Sequence, residues 1–73
     1  MGQEQYNISH MQCWLFQMAQ AKWGRTPQET TEIFERFNIF DFIADCYEML
    51  HLSSYNHVLI EIENVLAGKG IIL

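Results

Sequence analysis

Between Ile39 and Leu52 the chain is apolar at ten of fourteen positions: Ile-Phe-Asp-Phe-Ile-Ala-Asp-Cys-Tyr-Glu-Met-Leu-His-Leu. At about 100° per residue, its acidic residues Asp41, Asp45 and Glu48 fall within a wedge of about 60°. A helix that is apolar around the rest of its circumference is one its neighbours surround. The pattern therefore predicts an all-α domain of four helices, compact, with a buried central helix over about 39–52.

The flanking segments carry the same period. Ile8, Met11, Leu15, Met18 and Ala19 mark one face of a first helix over about 8–22, capped by Asn7 or Ser9, with residues 1–6 polar and loose. Trp14 and Ala21 widen that face on one side, Phe16 and Trp23 on the other. His10, Gln17 and Gln20 cover the back. The width exceeds what one neighbouring helix needs; two neighbours can cover it, or part is left for a partner.

Gly24 suits a left-handed stop. Thr26-Pro27-Gln28-Glu29 then reads as a helix start: Thr26 caps, Pro27 takes the first position, and Glu29 reaches back in a capping box. This second helix runs over 27–37 with Thr30, Ile33, Phe34 and Phe37 inward, and Glu32 and Arg36 spaced for an ion pair. Asn38 is a left-handed stop, so the corner into the central helix is tight. Ser53 or Ser54 caps a last helix over 55–67, whose face is Tyr55, Val58, Leu59, Ile62, Val65 and Leu66, with Gly68 as its end. Val58, Ile60 and Ile62 also alternate as in a strand, but the helical pattern is longer and better capped. The closing Ile71, Ile72 and Leu73 either tuck onto the body or pair with another copy of the chain.

Seventy-three residues make a single helical domain, 1–73, and one this short buries only about 60% of its unfolded surface. Two cysteines, Cys13 and Cys46, are too few for a disulfide scaffold and read as free thiols in a reducing compartment. Nine acidic residues face four basic ones, and Lys22, Arg25, Arg36 and Lys69 form no stripe, which disfavours nucleic acid. Without a signal peptide, a myristoylation signal or an apolar run long enough to span a membrane, the expected location is cytoplasmic.

Candidate chemistry is thin. No phosphate loop, dinucleotide fingerprint or nucleophile elbow occurs. Ser9, Ser53 and Ser54 fall at predicted caps. His10 and Cys13 could share a helix face, but Cys46 and His51 are turned about 140° apart and His57 is isolated, so no metal site is expected. His51 suits a helix C-terminus, as a partner for the dipole and the last carbonyls. Asp41, Asp45 and Glu48 read as the solvated wedge of a buried helix rather than paired catalytic carboxylates. The chain is accordingly expected not to be an enzyme and to need no cofactor.

From Thr26 onward the order of features resembles a family of short, uncharacterised bacterial all-helical proteins. Ile33-Phe34, Phe40-Asp41-Phe42 and Tyr47-Glu48-Met49-Leu50-His51 carry the likeness, and the apolar first helix extends it over most of residues 8–68. Glu48 stands where that pattern has Asp, Ser53-Ser54-Tyr55 replaces a more polar turn, and the tail lies outside it. Some members are encoded beside proteins resembling ADP-ribosyltransferases, so the resemblance implies a toxin-neutralising or accessory partner role.

Together these observations favour a small protein–protein interaction module, self-associating as a homodimer, with an antitoxin-like or regulatory role implied by the resemblance. Its working surface is expected from the spare apolar residues Trp14, Met18 and Trp23, with Ile71, Ile72 and Leu73 of the tail. The alternative is a helix-turn-helix-like nucleic-acid-binding regulator, which rests on the corner between 27–37 and 39–52 alone.

Overall fold

A computed structural model describes residues 2–71. Its helices are α1 (Gly2–Trp23), α2 (Pro27–Arg36), α3 (Ile39–Asp45), α4 (Tyr47–Leu50) and α5 (Tyr55–Gly68), with no strand among the described residues. The all-α expectation holds, and the strand alternative for 58–62 falls, because those residues lie inside α5.

Expectations about helix limits are corrected first at α1 and then in the central segment. Residues 2–6 are not loose but form the first turns of α1, and Asn7 and Ser9 lie inside the helix rather than capping it. Gln and Glu at these positions are good helix formers, Glu4 sits favourably in the first turn, and the Gln3 amide donates to Asn7 Oδ1 at 3.2 Å. At about 1.5 Å per residue α1 is about 33 Å long, which accounts for most of the molecule's 36 Å long dimension. The predicted central helix 39–52 is the second correction: it is divided at Cys46, whose φ of −101° and ψ of 11° leave the helical region. Hydrogen bonds bridge the bend, from the Cys46 amide to Phe42 O at 3.0 Å and from the Leu50 amide to Cys46 O at 2.8 Å.

The core is one cluster. Met11, Leu15 and Ala19 come from α1, Phe34 from α2, Ile39 and Ile43 from α3, Leu50 from α4, and Val58, Leu59, Ile62 and Leu66 from α5. The α3 half of the central segment is packed between α1 and α2, and the amide of Gln12 ties it to α1 by donating to Phe40 O at 2.9 Å. Phe34, fully buried, stands among other rings: Phe40 at 5.0 Å, Phe16 edge-on at 5.4 Å and Trp23 at 6.1 Å between centroids. The α4 half is less enclosed. Leu50 alone is buried there, and Met49 and Leu52 are 66% and 79% exposed.

The local signals at the helix ends are the ones the residue types call for. Thr26 Oγ1 accepts from the Glu29 amide at 3.1 Å and Glu29 Oε1 accepts from the Thr26 amide at 3.0 Å, a complete capping box. Ser54 caps α5 by accepting from the His57 amide at 3.2 Å. Asn38, at φ 55° and ψ 40°, makes the corner between α2 and α3. The stop after α5 is Gly70 at φ 84°, not Gly68, which remains helical. The Gly70 amide donates to Ala67 O and the Ile71 amide to Leu66 O, both at 3.0 Å, a Schellman motif that brings Ile71 back against the core.

Candidate interaction surface

The outward side of α1 carries rings at every fourth position. Tyr6, His10 and Trp14 stack in sequence, Tyr6 on His10 at 6.3 Å and 21° and His10 on Trp14 at 6.4 Å and 7°. Side chains four apart lie one above the other on a helix, so the spacing itself produces this ladder. Tyr6 is 66% and Trp14 50% exposed, so the row presents large amphipathic rings to solvent.

The ladder borders a cleft. Asn7, His10 and Met11 of α1 face Tyr47, His51 and Tyr55 across a cavity of about 240 Å³. Tyr47 and His51 stack at 5.1 Å and 20°, so the His51 ring lies on its own helix instead of reaching the last carbonyls, as was expected of it. The Tyr47–His51–Tyr55 wall of the cleft is thus aromatic with polar edges, and His10 adds a ring from the α1 side, a chemistry common at protein contacts.

Of the six residues expected to form the working surface, the four that are described do not gather in one place. Trp14 is on the ladder. Met18 is half-buried and packs against the core. Trp23 is engaged internally: its ring lies against Phe34, and its indole N–H donates to Glu63 Oε2 at 2.8 Å. Glu63 also accepts from Lys22 Nζ at 3.0 Å, which ties the end of α1 to α5. Ile71 is half-buried against the core, and Ile72 and Leu73 lie outside the described residues. Tyr6, His10, Tyr47, His51 and Tyr55 were missed by sequence reasoning. The four-residue aromatic spacing of Tyr6, His10 and Trp14 was the available signal.

Of the candidate chemical groups, His10 and His51 line the cleft. Asp41, Asp45 and Glu48 are exposed, Cys13 is an exposed free thiol and Cys46 a half-buried one. The expected Glu32–Arg36 pair does not form; the ion pairs among the described residues are Lys22–Glu63 and His57–Glu61, the latter at 3.5 Å. Among the described residues no three His, Cys, Asp or Glu side chains gather to hold a metal ion, and no helix is long and apolar enough to cross a membrane. Glu29 has its carboxyl held below the ordinary value of 4.5, chiefly by the hydrogen bond from the Thr26 amide and then by the Thr26 hydroxyl.

No curated protein and no solved structure matches the chain. Residues 11–69, from the middle of α1 to the residue after α5, match the family described as "Protein of unknown function (DUF3791)", with Trp14 and the α4–α5 wall of the cleft inside the matched span and Tyr6 and His10 ahead of it. The chain therefore belongs to the DUF3791 family, whose function is unknown.

Proposed function

We propose that this chain is a protein–protein interaction module that self-associates through the α1 ladder and the adjoining cleft. The observation that carries the reading is the exposed Tyr6–His10–Trp14 stack. Tyr and Trp dominate binding energy at protein interfaces, because each supplies a large contact area at small cost in side-chain freedom. Here the helix already holds both in one row, so little further ordering is needed on association. A second copy offers the same row, and two such rows can pair about a two-fold axis.

The family resemblance of the sequence extends this reading to an antitoxin-like or regulatory role in the bacterial cytoplasm, with a protein resembling an ADP-ribosyltransferase as a further partner. The nucleic-acid alternative keeps the Asn38 corner, but α3 carries Asp41 and Asp45 and no cation, so no observation favours it.

Light scattering across low micromolar to about 100 µM protein tests the proposal. The expected mass is twice the 8.6 kDa of the chain, falling to the single-chain value in Trp14→Glu. A strict monomer throughout, or a dimer indifferent to Trp14→Glu, would refute it.

A further inference from the structure

On a different part of the molecule, Arg25, Ile33, Arg36, Phe37 and Ile71 line an open groove of about 400 Å³, with Glu32 and Gly70 at its walls. It shares no residue with the ladder or its cleft. Three features of it need a common explanation. First, the chain has four cationic side chains and a net charge of −5, yet two of the four face this one groove. Second, neither Arg25 nor Arg36 forms an ion pair among the described residues, although Glu32 stands one turn from Arg36. Third, Nε of Arg25 is shut off from solvent and finds no hydrogen-bond partner among the described residues. A buried donor without an acceptor is costly, and such a group in a native fold calls for a water, an ion or another acceptor close to it.

The chemistry of the lining narrows what that acceptor is. Ile33, Phe37 and Ile71 supply apolar walls, and the Arg36 guanidinium lies over the Phe37 ring at 5.4 Å, which holds it along the groove. Two guanidiniums and one carboxylate leave a single net positive charge. That balance suits one carboxylate, received by a planar guanidinium fork, and disfavours a phosphate or a run of anionic groups. The groove is open along its length rather than closed over, which suits a chain segment more than an enclosed small molecule.

We infer that this groove binds a peptide segment of a partner protein that presents one carboxylate beside aliphatic side chains. The carboxylate sits between Arg25 and Arg36, accepting from their guanidinium N–H groups, and the aliphatic side chains lie on Ile33, Phe37 and Ile71.

The test is titration of the isotope-labelled full chain with N-acetyl-leucyl-leucine, read by NMR at the arginine Nε–H and isoleucine methyl signals. The expected result is that the Arg25 Nε–H and the Ile33 and Ile71 methyls move together, and that the C-terminal amide of the same dipeptide, inorganic phosphate and hexanoate each bind roughly tenfold or more weakly. Arg36→Gln, at an exposed position, should weaken the dipeptide by a similar factor without altering the rest of the spectrum. Arg25→Gln should do the same where its spectrum shows the fold intact. The inference is overturned if the amide or hexanoate binds as well as the acid, or if Arg36→Gln leaves the titration unchanged. Absence of binding to the full chain overturns it equally, including the case in which binding emerges only after residues 72 and 73 are removed.

Discussion

Replacing Phe34 with Ala should come close to unfolding the protein. The side chain is fully buried and has Phe16, Phe40 and Trp23 around it. Deleting a buried Phe costs about 3–5 kcal/mol from lost transfer energy and the cavity left behind. The loss of three aromatic contacts places this site in the upper part of that range. A domain of 73 residues has a total stability of about 4–11 kcal/mol. Urea unfolding followed by far-ultraviolet circular dichroism measures the difference. At a slope of about 1–1.5 kcal/mol per molar urea the midpoint should fall by about 3–5 M, with protein concentration held fixed because the proposed self-association would also stabilise the fold. Phe37→Ala is the internal control: Phe37 is half-buried at the end of α2, and its loss should cost about 1 kcal/mol. If Phe34→Ala costs no more than Phe37→Ala, the aromatic cluster is not the centre of the core and the packing argument fails.

Three further substitutions probe the local devices. Glu63→Ala removes the acceptor of the Trp23 indole and should cost about 1.5–3 kcal/mol, whereas Lys22→Ala, at a half-exposed position, should cost under about 1 kcal/mol; thermal melts of the two variants separate these contributions. Asn38→Ala should cost about 1 kcal/mol because it forces a Cβ-bearing residue without a helpful side chain into the left-handed region, and Asn38→Gly should be neutral or better; paired urea curves check the sign. The lowered pKa of Glu29 means that its contribution is present above the unfolded value and is lost as pH falls through the folded one, so wild-type stability should decline on acidification below about pH 4.5 more steeply than that of Glu29→Gln.

What could be read from the residues, and what could not, follows the range of the interactions involved. The start of α2 depends on four consecutive residues, Thr26 to Glu29, and was legible in full. So was the turn at Asn38, where a short polar side chain tolerates positive φ. The break at Cys46 was hidden because no Gly or Pro marks it, although beyond it Leu50 still reaches the core. Gly68 drew the helix end one residue and the left-handed stop two residues too early, because Gly70, also glycine, takes the left-handed position. Trp23 looked like spare surface because its partner Glu63 is 40 positions away. Tyr6 and His10 were passed over for different reasons: Tyr6 fell among the first six residues, read as loose, and joins the row only because α1 extends to Gly2, while His10 was read as part of the polar back of the helix. Buried positions were therefore the easier part: Leu15, Phe34, Ile43 and Ile62 follow from periodicity alone, while the exposed aromatic row does not.

The central claim is that the row on α1 is covered by a second copy of the chain. The most direct measurement compares the two indole N–H signals of the labelled protein in the presence of a neutral gadolinium chelate, in a sample whose scattering mass is twice that of the chain. Trp23, bonded to Glu63, reports a site already sheltered, and Trp14 reports the row itself. The account predicts that the Trp14 signal is protected as well as that of Trp23 in the associated protein and is broadened away in a dissociated sample. A Trp14 signal that stays fully open to the chelate while the protein is dimeric would contradict it.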